Sequence, residues 1–269
     1  MFETFSNDLR HAVRALLNRP SFALSALVTL VIGIGTNIAI FTVLNGALYQ
    51  PLPFPESERL VDVRNVYPQM GLQDAGTSIP DYLDRRAAPS LESLAIYTKA
   101  NLALNEAAGP ERISGIRASP SLFETLKVKP ILGRTFSDDE ASLGREQVVV
   151  LSHAVWVSQF ASNAEILGKT ISLDGKAHTV IGVMGPEFFF PTRATQVFLP
   201  FAFTEEQVQD TARGNEFSRS IGRLKPGASI EQLDAQLKAI ILGNAERIGG
   251  SSEPGASDFA EFLRSGQFL

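Results

Sequence analysis

The amino-acid sequence predicts an α+β protein carried on one membrane-spanning helix. Three observations lead there. From Pro20 to Pro55 there is no charged residue. The apolar part of this stretch, SFALSALVTLVIGIGTNIAIFTVLNGALY, has about 28 residues and reaches roughly 42 Å as a helix, more than the roughly 30 Å of a bilayer's hydrocarbon core. Residues 56–250 then alternate between short β-branched runs bounded by Gly, Pro, Asn or Asp and segments with helix caps and apolar spacings of three and four.

Taken in order, residues 1–20 form the first element. Phe2, Phe5, Leu9, Val13, Leu16 and Leu17 share one face and Arg10 and Arg14 another, so an amphipathic helix lying in the interface is expected. Residues 21–49 are the span. A cleaved leader has an apolar region of only about 7–15 residues, and bulky residues follow this one. Arg10, Arg14 and Arg19 before the span place the N-terminus inside and the remainder outside. Within the span Gly35 and Ala39 are four apart, a small-residue face that lets another helix approach. Asn37 is costly toward lipid and is expected to hydrogen-bond a neighbouring helix.

The outer domain, 56–250, shows no repeat or low-complexity run. Strands are expected at Arg59–Val66, Leu94–Leu104, Arg112–Ala118, Gln147–Leu151, Lys169–Leu173, His178–Met184, Gln196–Leu199 and Arg219–Lys225. Helices are expected after Ser78, Ser119 and Ser152 as caps, and after Ser229, which opens a capping box with Gln232. Residues 251–269 form a tail: a loop, then DFAEFLRSGQFL with helical spacing. The strand that should return after the Ser229 helix is expected beyond Leu269. This predicts an unpaired sheet edge next to Arg219–Lys225.

Several chemistries are excluded. There is no Cys, so no disulfide and no thiolate site. His11, His153 and His178 lack metal-ligand spacing. A net charge of −5 gives no support to nucleic-acid binding. Gly168-Lys169-Thr170 looks like half of a P-loop, but Asn163 stands where the first Gly belongs, and ISLDGKAHTVIGV reads as a hairpin around Asp174-Gly175. Ser152 and His153 lack a nucleophile elbow, and SDDE (137–140) lacks the Gly and distal Glu of a calcium loop. FFFP (188–191), with Phe198, Phe201 and Phe203, reads as a core or a seam between subdomains. No catalytic set, metal site or cofactor site survives, so the protein is not expected to be an enzyme.

Larger stretches carry a resemblance. GIGTNIAIFTVLNGALYQPLPFPESERLV resembles the first transmembrane helix and exit of MacB/FtsX-type ABC-transporter permeases, in particular the acidobacterial duplicated orphan permeases. SPSLFETLKVKPILGRTFSDDE, VVVLSHAVWVSQF, ILGKTISLDGKAHTVIGVMGPEFFFP and IGRLKPGASIEQLDAQL resemble, in order, the MacB-like periplasmic core. The likeness covers about residues 5–245. It implies the permease half of an exporter in a bacterial inner membrane, partnered by a separate or fused ABC ATPase and by other permease helices or a second copy. It also implies an outer core of two parts, a porter-like α/β unit (Arg59–Ala88 with Ser218–Arg247) and an inserted subdomain. Family members carry three further spans, so the chain is expected to be a fragment. The alternative is a single-span anchored binding or sensory module.

Overall fold

The computed structural model describes residues 20–44, 52–67, 71–106, 109–250, 261 and 267–268. The interfacial helix expected before Pro20 and most of the tail after Gly250 lie outside the described residues. The chain divides into two compact units, Met1–Leu52 and Pro53–Leu269.

The first unit holds helix α1, Pro20–Leu44, about 38 Å long at 1.5 Å per residue. The rest of the expected span, 45–49, lies outside the described residues. Large apolar side chains are exposed on every side, among them Phe22, Leu27, Ile34 and Phe41, as suits a helix that is apolar all round. Its polar side chains bond back to the helix. Ser25 donates to Phe22 O (2.9 Å), Thr29 to Ser25 O (2.9 Å) and Thr42 to Ile38 O (2.8 Å). Each hydroxyl thereby avoids the cost of an unmet hydrogen bond in hydrocarbon.

The second unit is built on strand β4, Leu91–Glu106. Its first half pairs with β11 (Arg219–Leu224), which pairs in turn with β1 (Leu60–Val63). Its second half pairs with β8 (Thr170–Leu173), and along much of its length β4 also pairs with β5 (Gly109–Ala118). Strand β5 continues through β10 (Val197–Pro200), β7 (Val148–Leu151) and β9 (Lys176–Val183), and β9 pairs with β8. Six strands therefore close into a ring, β4-β5-β10-β7-β9-β8, and β4 is common to the ring and the open sheet. The short β6 (Leu132–Gly133) adds to β9. A separate small sheet joins β2 (Asn65–Tyr67) to β3 (Leu72–Ala75) and to β12 (Gln267–Phe268).

Each helix has a local cause. Helix α2 (Ile79–Arg85) is capped by Ser78 Oγ, which accepts from Asp81 N–H (3.3 Å). Helix α4 (His153–Phe160) is capped by Ser152 Oγ, which accepts from Val155 N–H (3.3 Å). Helix α5 (Ile230–Gly249) opens with the expected capping box between Ser229 and Gln232. Helix α3 (Ser121–Thr125) differs from expectation. Ser119 Oγ accepts from Ile96 N–H across the sheet (3.1 Å), and only its carbonyl starts the helix, by accepting from Leu122 N–H. At the end of a buried strand, tying β4 satisfies the hydroxyl where a cap would leave Ile96 N–H unmet.

Three cores result. Helices α2 and α5 cover the open sheet over Val63, Leu94, Ile96, Leu224, Leu233 and Leu237. The ring closes over Leu102, Leu104, Ile113, Val149, Leu173 and Val197. Between them an aromatic core joins Phe54, Phe123, Phe188, Phe190 and Phe198, with Phe188 and Phe198 centroids 5.3 Å apart. The FFFP segment thus supplies core, as expected. Phe189 instead carries Arg193 over its ring at 4.1 Å.

The hairpin reading of Asp174-Gly175 holds. Leu173 pairs with Lys176, and both turn residues have positive φ, 49° and 75°, the pattern of a tight hairpin turn. Thr170 begins strand β8, so no helix follows the Gly-Lys-Thr triplet. The expected open edge beside Arg219–Lys225 is corrected. Strand β11 lies between β1 and β4, and among the described residues the outermost strand on that side is β1. The pairing sets Val63 opposite Ser220 and extends the sheet that carries Val63 and Leu224 in one buried cluster beneath the helices.

Candidate functional site at the root of the outer domain

Among the described residues the sites of interest are the helix face and the places where charge is buried. On α1, Gly35 and Ala39 fall one turn apart on the same face. Asn37, two residues from each, projects about 200° around the helix from Gly35. It stands instead above Gly33, and its Nδ2 donates to Gly33 O (2.8 Å). The three residues singled out in the span are therefore not one surface. There is open space where a Cβ on Gly33 or Gly35 would point.

Where the outer domain begins, the chain is fastened tightly. Phe54 sinks into the aromatic core, 6.2 Å from Phe188 and 6.4 Å from Phe190 by ring centroid. The next two carbonyls are held by Arg223, a side chain with 0% exposure. Its Nη2 donates to Pro55 O (2.9 Å), Nη1 to Glu56 O (2.8 Å) and Nε to Thr125 O at the end of α3 (2.7 Å). Strand β11 can offer this fork because alternation puts Arg219, Ile221 and Arg223 on one face, that of the aromatic core. Burial, then the nearby Arg59 charge, pulls the Arg223 guanidinium below its ordinary value.

An outer layer of charge surrounds this fork. A 3-10 turn, Ser57–Arg59, follows Glu56. Arg59 Nε donates to Leu224 O (2.8 Å), and its guanidinium pairs with Glu56 and Glu92. Lys127 Nζ pairs with Glu56 (2.7 Å) and Glu92 (3.6 Å). Hydrogen bonds from Lys127 and then Arg59 hold the Glu56 carboxyl below its usual range.

A second charged cluster lies under α2 and α5. Arg213, 3% exposed, donates to Asp81 (2.7 Å), Asp84 (2.5 Å) and Asp210 (2.8 Å). Burial alone would lower its guanidinium, but the three carboxylates outweigh that and raise it. Arg247 and Asn244 of α5 add bonds to Asp210 and Asp84. Arg247, opposed by partial burial and aided by Arg213, draws the Asp210 carboxyl down to about 2. Glu216, which accepts from Tyr67 and Asn65, is raised by burial. The cluster opens on a cleft of about 530 Å³ lined by Pro80, Leu83, Asp84, Asp210, Arg247 and Ile248.

Neither cluster was singled out in the sequence. The readable signal for Arg223 was weak, a cation two residues after Ile221 on the inward face of RSIGRL. For Arg213 there was none, since its carboxylates come from positions 81, 84 and 210.

The sequence profile of the MacB-like periplasmic core domain family matches residues 23–240. No curated protein sequence matches the chain. Among solved structures, the periplasmic region of MacB from Actinobacillus actinomycetemcomitans is similar at TM-score 0.53 and 16% identity, over 69% of this chain and 84% of that one. The extracellular domain of the noncanonic ABC-type transporter YknZ from Gram-positive bacteria is similar at TM-score 0.52 and 14% identity, over 78% of this chain and 99% of that one. A domain of a putative permease protein from Porphyromonas gingivalis is similar at TM-score 0.52 and 20% identity, over 72% and 86%.

Proposed function

The chain belongs to the MacB-like periplasmic core domain family, and from that premise we propose that it is a permease component of an ATP-driven MacB/FtsX-type exporter. The observation that carries this reading is the extent of the family match. It runs from residue 23, inside α1, to residue 240, inside α5, so the apolar helix and the outer domain are matched together. A helix long and apolar enough to cross a membrane supports the anchor.

In this reading residues 1–20 lie on the cytoplasmic face, 21–49 cross the inner membrane, and 56–250 form the periplasmic or extracellular core. The tail, 251–269, leads toward further spans of a longer permease. An ABC ATPase on the cytoplasmic side drives the helices, and their motion reaches the outer domain. The open sheet with α2 and α5 corresponds to the porter-like unit, and the ring to the inserted subdomain. The Gly35–Ala39 face receives a helix of the same permease or of a second copy. Asn37, on another face, contacts a different neighbour or none. Membership of the duplicated orphan group rests on the sequence motifs alone.

The test is to co-express the tagged full-length permease with candidate ABC ATPase subunits, purify it into nanodiscs and measure ATP turnover. A stoichiometric ATPase whose turnover changes on assembly supports the reading. A protein that purifies alone and leaves turnover unchanged favours the anchored binding or sensory module. Orientation is tested in the Cys-free chain by Ala235→Cys, which should react with a membrane-impermeant thiol reagent on intact spheroplasts. Labelling only after lysis would reverse the topology.

A further inference from the structure

Two non-glycine residues at the root of the outer domain have left-handed backbones, Glu56 at φ 50° and Lys127 at φ 54°. An L residue with a Cβ disfavours this region and stays there where its surroundings over-determine it. Here they do. The two strained residues are ion-paired to each other. The Glu56 side chain is also held by Arg59 and its carbonyl by Arg223, while Lys127 follows directly on the α3 end that Arg223 grips at Thr125. One buried guanidinium thus ties together the arriving chain, the end of α3 and strand β11. Only Arg presents several N–H donors in a rigid planar fork, whereas a Lys ammonium on a flexible stem cannot span the same three carbonyls with that geometry.

We infer that residues 54–59 form a fixed knuckle, with Arg223 as its positioning residue, that hands displacement of the arriving chain to β11 and α3. A flexible connector at this point would lose such a displacement. The use of the knuckle rests on the coupled-permease reading above, but its rigidity does not. Arg59 extends the grip by bonding Leu224 O, at the last residue of β11 before the turn into α5.

The test uses the full chain in lipid nanodiscs. The absence of native Cys allows Glu58→Cys and Ala235→Cys to be spin-labelled as a pair, and both positions are exposed. The parent should give one narrow distance distribution. Arg223→Lys keeps the charge and loses the fork, so the distribution should broaden about two-fold. Arg219→Gln, on the same strand but outside the knuckle, should leave it narrow. Amide exchange reads the same event. The Arg59 and Leu60 amides, which donate to Glu56 O and Ser57 O, should exchange about ten-fold faster in Arg223→Lys, with β7 and β10 unchanged. Slowing or speeding of all amides together would mean a purely structural arginine and would sink the inference. A broad distribution in the parent, or a narrow one in Arg223→Lys, overturns it. If the variant does not fold, the parent distribution decides alone. An absent ATPase would end the permease reading and leave this result standing.

Discussion

Two of the buried arginines of the outer domain, Arg213 and Arg223, solve the same problem with different partners. Arg213 faces three carboxylates, and the favourable field raises its guanidinium. Arg223 faces three backbone carbonyls and no carboxylate, and burial lowers it. The Arg213 cluster neutralises charge between elements that are already regular, α2 and α5. Arg223 organises chain that is not regular, since Pro55 and Glu56 belong to no strand or helix. The contrast is between a charge that needs a cation and a backbone conformation that needs a shape.

The largest effect expected from this contrast is in Arg213→Met. It strands Asp81, 3% exposed, with only Arg85 at 3.4 Å, and should destabilise the outer domain by about 3–5 kcal/mol in urea titrations of the full chain. Arg223→Met strands carbonyls in place of charges and should cost less, about 1–3 kcal/mol. Equal losses in the two variants would erase the distinction.

Acid should separate the clusters next. The folded-state pKa of Asp210, about 2, lies below its ordinary 3.8, so its ionised form favours folding. That contribution is complete above about pH 4 and is lost as pH falls toward 2. Asp210→Asn should flatten this acid limb of the stability profile. Glu216 has the opposite sign. Its carboxyl is raised above 4.5 by burial, so its ionisation opposes folding as pH rises through that range, and Glu216→Gln should remove that loss. A parent profile unchanged by Asp210→Asn would show that Arg247 and Arg213 do not hold this carboxylate in solution.

The smallest effect belongs to Arg219→Gln. It breaks the 2.6 Å pair with Asp74, in which both side chains are more than 40% exposed. Less than about 1 kcal/mol is expected, falling further with salt. A larger loss would mean that surface pairs in this domain rival its buried ones.

Local structure was largely legible in the sequence. Ser78, Ser152 and Ser229 cap helices as read, and Asp174-Gly175 turns a hairpin, because these signals act within four residues. Pairing between distant strands was not. The closure of β8 on β4 joins Leu173 to Leu104, and nothing local in either strand names the other. The misplaced edge at β11 has the same origin. Ser119 misled because one serine can serve either the helix after it or the sheet beside it, and only the fold decides. In the span, the spacing of four that puts Gly35 and Ala39 on one face was legible, whereas the bond of Asn37 to Gly33 O of its own helix was not.

The filled ring has a consequence for what could pass through this domain. Its strands surround Leu102, Leu104, Ile113, Val149, Leu173 and Val197, all with 5% exposure or less. A circle of six strands is narrow enough for side chains to stopper it, and here aliphatic ones do. It is a cork rather than a pipe. On the permease reading proposed above, a transported molecule would pass outside this ring, and any surface that selects it would be an exterior one.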